Sequence, residues 1–142
     1  MFYFKIVNNK KQLDECLNIR KVVFVNEQHI DKEIEFDGLD DTSLHLIAYD
    51  ENKAIATLRI IRLNEKEVKI GRVAILKEYR NLYIGSTLIN FASLYLKEKG
   101  YTRIVLGAQL HALKFYKNLG FSQYGDEFLE ANIKHIHMQK IL

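Results

Sequence analysis

Val68-Lys-Ile-Gly-Arg-Val-Ala-Ile75, then Leu-Lys-Glu-Tyr79, then Arg80-Asn-Leu-Tyr-Ile-Gly-Ser86 reads as a strand, a short cationic loop and a helix start. β-Branched residues mark the first part, whereas beyond Gly85 the apolar positions recur at Leu88, Ile89, Ala92, Tyr95 and Leu96 with helical spacing. The loop therefore opens directly into a helix. The first turn of a helix carries N–H groups without intrahelical acceptors and the positive end of the macrodipole, so an anion placed there is stabilised. Lys77 and Arg80 add full charges beside these partial ones. This order predicts a phosphate-bearing ligand. A P-loop would end in Gly-Lys-Ser/Thr and a dinucleotide fingerprint needs three spaced glycines; the loop has only Gly85, so neither an NTPase nor a Rossmann oxidoreductase is supported.

Outward from this stretch, the chain has no proline, and boundaries rest on glycines and polar turns. Phe2 to Val7 reads as a strand and Lys11 to about Val25 as a helix. Ser43 to Tyr49 and Ala54 to Leu63 read as a strand pair across Asp50-Glu-Asn-Lys53, and Asn64-Glu-Lys-Glu67 turns into the opening strand. Ser86 to Lys99 is helical with Gly100 as its stop, Arg103 to Ala108 is a strand, and a further helix follows. Phe121 to Tyr124 and Lys134 to Lys140 read as strands joined by a loop carrying Asp126, Glu127 and Glu130. A helix between two neighbouring extended runs argues for a right-handed parallel crossover in an otherwise antiparallel sheet. The fold class is α/β.

A second motif follows at the distance that one helix and one strand require. Gln109-Leu-His-Ala112-Leu-Lys-Phe115-Tyr116-Lys-Asn-Leu-Gly120-Phe121 resembles the pattern Asn-x-x-Ala-x-x-Phe/Leu-Tyr-x-x-x-Gly-Phe of the GNAT superfamily of acetyl-CoA-dependent N-acyltransferases, with Gln109 for the common Asn. Arg80 to Ser86 resembles that family's Gln/Arg-x-x-Gly-x-Gly/Ala loop, with Tyr83 where the family has its first glycine. The resemblance covers nearly the whole chain and is closest to small stand-alone bacterial members, through Phe24-Val-Asn-Glu27-Gln28, Glu35-Phe-Asp37 and Glu127-Phe-Leu-Glu-Ala131. It implies a three-layer αβα fold: a mixed, mostly antiparallel seven-stranded sheet, helices on both faces, and one parallel strand pair that splays apart to admit pantetheine. It also implies a cofactor site of Val73, Ala74, Ile75, Arg80, Asn81, Leu82, Tyr83, Ile84, Gly85, Ser86, Gln109 and Tyr116. Acetyl-CoA is then the cosubstrate, and Tyr116 protonates the leaving thiolate.

Composition agrees with one small enzyme domain over residues 1–142. At 48% hydrophobic content the chain can bury one sizeable core, and no linker-like tract divides it. Neither a membrane span nor a signal-like leader is evident, so a cytoplasmic protein is expected. Cys16 shares the inward stripe of the first helix with Leu13, Leu17, Arg20 and Phe24 and reads as buried rather than nucleophilic. Between Glu27 and Asp41, seven acidic residues stand against one lysine in a chain of net charge +3, which leaves a basic remainder suited to CoA phosphates. The acidic stretch reads either as a solvated loop or as an attractor for a cationic amine. Glu27, Gln28, Glu35, Asp37 and His135 are the acceptor-side candidates. His45 and Glu127 are the leading candidates for the base, with Glu27, Glu35, Asp37, His135, His137 or a water chain as alternatives.

His135-x-His137 lacks third and fourth ligands, so no metal is expected. His111 reads as a surface residue beside the cofactor entrance. No aromatic-basic stripe accompanies the modest net charge, so nucleic acid is not expected as a partner. The predicted partners are a small-molecule or peptide amine and, as oligomeric state, a monomer or homodimer. An inactive CoA-binding regulatory module is the rival reading, and Tyr83 is its chief support.

Overall fold

A computed structural model describes residues 1–142. The elements are β1 (Phe2–Ile6), α1 (Lys10–Arg20), α2 (Lys32–Glu35), β2 (Leu44–Asp50), β3 (Lys53–Arg62), β4 (Glu67–Ile75), α3 (Ile84–Glu98), β5 (Arg103–Gln109), α4 (Leu113–Asn118), β6 (Ser122–Glu130) and β7 (Ile133–Ile141). The seven strands form one sheet in the order β1-β2-β3-β4-β5-β7-β6. Only β4 and β5 are parallel, joined through α3; every other neighbour is antiparallel. This is the mixed sheet expected from the sequence. No helix is long and apolar enough to cross a membrane.

Helices cover both faces because the strands alternate. Leu46, Leu58, Val68, Ile70, Ile104, Leu106, Ile136 and Met138 point to one face and form the main core with Ile84, Leu88, Ile89, Ala92 and Leu96 of α3 and with Tyr116 and Phe121. On the other face, Ile19, Val23 and Phe24 pack on Ala74 of β4. Asn9 caps α1 by accepting from the Gln12 N–H at 2.8 Å, while the Gln12 side chain accepts from the Asn8 N–H at 2.8 Å. Cys16 is fully buried, and burial pushes its thiol up to about 11, so it acts as a small apolar residue.

Two local readings of the sequence are corrected. The first helix does not stay α-helical to Val25: from Lys21 to Glu27 it widens into a π-helical segment, closed by Gln28 N–H on Val23 O at 3.1 Å. The predicted loop carrying Asp126, Glu127 and Glu130 is instead part of β6, and Ala131-Asn132, both at positive φ, form the two-residue turn into β7. β6 is an exposed edge strand, and a bulge between Tyr124 and Glu127 breaks its alternation, which is why its polar run resembles a loop.

Candidate active site

The site begins with an irregularity in β4. Arg72 lies at φ 52 in a bulge against β3, and the extra residue reverses the alternation: Val68 and Ile70 point to the α3 face, but after the bulge Ala74 points to the α1 face. β4 and β5 pair only at Glu67–Arg103, Val68–Ile104 and Lys69–Val105. Beyond Lys69 the two strands are no longer joined. Leu76 N–H donates to Ile55 O at 2.9 Å, so alternation turns the Val73 and Ile75 N–H groups away from β3 and toward the opening.

The loop after β4 supplies the second part. None of the backbone N–H groups from Asn81 through Ser86 has a protein acceptor, and Thr87 is the first to bond back, to Tyr83 O at 3.0 Å. Asn81 and Tyr83 take left-handed conformations, φ 65 and φ 63. Such turns gather successive N–H groups into a concave nest, here continuous with the head of α3. The left-handed conformation accounts for glycine at the Tyr83 position in the resembling family. Tyr83 is 83% exposed, so its ring is not packed into the core. Gly85 has no such freedom of surroundings: a Cβ there would meet Ile75 Cδ1 at 2.8 Å and Phe115 Cζ at 3.3 Å, so α3 starts hard against the end of β4. Tyr83→Gly is expected to relieve the left-handed strain and to leave stability unchanged or raised by up to about 1 kcal/mol, measured by urea unfolding. A loss would mean that the exposed ring makes a stabilising contact.

Tyr116 of α4 stands in the core between Phe115 and Phe121, with edge-on ring contacts at 5.0 and 5.6 Å. Its ring is buried, yet its hydroxyl has no hydrogen-bond partner in the protein, and burial pushes the phenol up to about 12. The hydroxyl oxygen is not sealed in the core, so it opens onto accessible space instead of a protein acceptor. It is a protonated donor held without a protein acceptor.

These features correspond to a known architecture. The model of the acetyltransferase (GNAT) domain matches residues 12–142. The chain belongs to the GNAT acetyltransferase family. It is 36% identical over 139 residues to the uncharacterised protein YyaT of Bacillus subtilis, covering 96% of this chain and 93% of the relative. It is 32% identical over 136 residues to the uncharacterised N-acetyltransferase YjcF of the same organism, covering 95% and 96%. Among solved structures, an acyl-CoA N-acyltransferase from Pseudomonas aeruginosa superposes with a TM-score of 0.88 at 30% identity, covering 99% of both chains.

On the α1 face of this GNAT domain lies a buried ionic network that the sequence reading missed. Arg20 is fully buried and bonds Glu35 Oε2 and Asp40 Oδ1, each at 2.6 Å. Arg59 clasps Asp37 through both terminal nitrogens at 2.8 and 2.9 Å and reaches Asp40 at 3.2 Å. Arg72, set by the β4 bulge, pairs with Glu35 at 3.0 Å and Asp37 at 3.2 Å. Three arginines thus meet three carboxylates. The Arg59 hydrogen bonds hold the Asp37 carboxyl well below the usual carboxylate range. At Asp40 burial opposes ionisation, but Arg20 and Arg59 outweigh it and lower the carboxyl. At Glu35 burial dominates and raises the carboxyl against the pull of Arg72 and Arg20. The sequence did carry a signal: Arg20 on the inward stripe of a helix and Arg59 within the apolar run Ile55 to Ile61 both require buried anionic partners.

The acidic stretch is accordingly anchored through Glu35, Asp37 and Asp40, and Glu27 is held on Arg80. Asp31, Glu33 and Asp41 have no cationic partner. His45 belongs to the network as well. Its Nε2–H donates to Asp40 O at 2.9 Å, its Nδ1 is buried without a partner, and burial lowers its pKa below the ordinary 6.5. A histidine held low stays neutral in the fold, so below 6.5 the unfolded chain binds the extra proton. Stability contributed by His45 is therefore full above 6.5 and declines as pH falls toward the lowered value. His45→Gln is expected to flatten the loss of urea-unfolding stability between pH 7 and the lowered value; an unchanged slope contradicts this.

The remaining candidates lie across the splay. His135 and His137 point to the α1 face from β7 and stack on Phe128 at 5.5 and 4.2 Å, with Tyr124 beyond His137 at 5.4 Å. Phe128 fills the space above Gly107 of β5, where a Cβ would meet its ring at 2.8 Å. His135 Nδ1–H donates to Ile133 O at 2.7 Å, so Nε2 is the unprotonated nitrogen when the ring is neutral; Glu130 lies 3.9 Å from it. Glu127 pairs with Ile136 and hence points to the opposite face. His45, which shares the α1 face with Arg59, is thus parted from Tyr116, whereas Glu127 faces the same side of the sheet as Tyr116. No three His, Cys, Asp or Glu side chains are grouped as a metal site would require.

Proposed function

We propose that this protein transfers an acetyl group from acetyl-CoA directly to an amine. The observation that carries the reading is the splay of β4 from β5, which ends in six consecutive unpartnered N–H groups at the head of α3. That run suits a pyrophosphate, and the opening beside it suits the pantetheine arm. When bound, acetyl-CoA supplies the thioester; the chain supplies position and protons. The Val73 N–H donates to the thioester carbonyl as it gains negative charge. The amine must arrive neutral, because an ammonium has no free electron pair. It approaches over the α1 face, between Arg72 with Asp37 on one side and His135 on the other. The tautomer leaves His135 Nε2 able to take its proton, whereas His45 Nδ1 is sealed in the ionic network, so the base moves from His45 and Glu127 to His135 or a water beside it. The new N–C bond forms, the C–S bond breaks, and Tyr116 gives its proton to the sulfur.

The test is acetyl-CoA with a panel of amines and a thiol reagent. Free CoA release that depends on the amine, together with a thermal shift by acetyl-CoA alone, is expected. A thermal shift without thiol release for any amine would favour the regulatory module.

A further inference from the structure

Glu27 and Gln28, consecutive residues at the end of the π-helical segment, reach opposite walls of the splay. On the β4 side, Glu27 takes both terminal nitrogens of Arg80, at 2.6 and 2.9 Å, while Arg80 Nε donates to Ile75 O at 2.9 Å. On the β5 side, Gln28 Oε1 accepts from Gln109 Nε2 at 3.1 Å, and Gln109 Oε1 meets His111 Nε2 at 2.8 Å. Arg80 thus has all three guanidinium nitrogens engaged by protein, and the Gln109 amide is engaged at both ends. Both residues were expected from the sequence to touch the cofactor.

We infer that Glu27-Gln28 is a two-ended strap that holds the open ends of β4 and β5 at a fixed separation, and that Arg80 shapes the anion loop instead of touching the phosphate. The inference rests on the acyl-CoA reading for its ligand but not for its geometry. Three observations support it. The π segment is anchored from beneath by Val23 and Phe24 on Ala74, so the strap is fixed at its root. Its two arms are independent, one ionic and one amide, and each grips the last residues of a strand or the turn beyond it. A bidentate carboxylate is the partner whose geometry best matches a guanidinium fork, so the fork is taken by Glu27 and only one outer N–H on each terminal nitrogen is left for a phosphate. The Glu27 carboxyl is lowered chiefly by its hydrogen bonds from Arg80. Glu27 and Gln28 are then positioning residues, and the acceptor is confined to the part of the opening between the strap and the Lys69–Val105 pairing.

The experiment has one arm without ligand and one with CoA. In the free protein, the Arg80 Nε–H resonance is expected to be sharp and slowly exchanging, and to broaden in Glu27→Gln. Calorimetry with CoA is expected to show roughly tenfold weaker binding for Glu27→Gln, Arg80→Gln and Gln28→Ala, short of the roughly hundredfold that misplacement of a reacting group can cost. Glu27→Gln with Arg80→Gln together should be no worse than either alone. If Glu27→Gln tightens CoA binding, or Arg80→Gln removes part of its salt dependence, Arg80 is a phosphate ligand and the strap is overturned. Unchanged spectra and affinities overturn it equally. If the unaltered protein does not bind CoA, the acyl-transfer reading fails, and the Arg80 resonance still decides the strap.

Discussion

Arg20→Met is expected to lower the free energy of unfolding by about 3–5 kcal/mol, the cost of leaving buried carboxylates without their cation. For a chain of this length that is a fall of roughly 10–17 °C in Tm. Arg20 is fully enclosed, its two ionic contacts are short, and its guanidinium also lies 5.6 Å over the Phe36 ring. Methionine fills similar volume but offers neither charge nor donors to Glu35 and Asp40. Arg72 still pairs with Glu35, and Arg59 with Asp40, which places the loss toward the lower end of the range. Urea unfolding followed by circular dichroism, with an unchanged m-value, is the measurement. A loss below about 1 kcal/mol, the value of an exposed pair, would show that the network opens to water in solution.

Tyr116→Phe is expected to lower kcat by roughly 100-fold, the smaller end of what a positioned general acid contributes. Affinity for CoA and stability should stay as they are, because the substitution removes a hydroxyl with no protein partner and leaves the aromatic packing intact. The contrast between rate and stability is the informative part. A rate unaffected by the change would mean that solvent protonates the thiolate. A stability loss above about 1 kcal/mol, the ordinary value of a hydrogen bond, would mean that the hydroxyl has a structural acceptor.

The order of elements along the chain, the parallel crossover and the loop that opens into α3 were legible in the sequence, because each depends on local periodicity or on motifs of fixed spacing. The ionic network was not, because Arg20, Arg59 and Arg72 meet Glu35, Asp37 and Asp40 only after α1, β3 and β4 have been brought together. For the same reason Glu35 and Asp37 looked free to meet a substrate. The π segment was hidden because its apolar residues continue the helical stripe of α1 closely enough. Tyr83 was legible only as a departure; its left-handed backbone and its exposure follow from a loop geometry that composition does not encode.

The arginine network also divides the acidic stretch by its freedom to vary. Glu35, Asp37 and Asp40 are locked to three cations from beneath, so a change at any of them must be matched by another elsewhere in the set. Asp31, Glu33 and Asp41 carry no such obligation. A lineage, or a laboratory selection, can exchange these three freely while the underside of the loop keeps the fold. Diversity in this segment should therefore collect at those three positions, and the anchored ones should change only in concert.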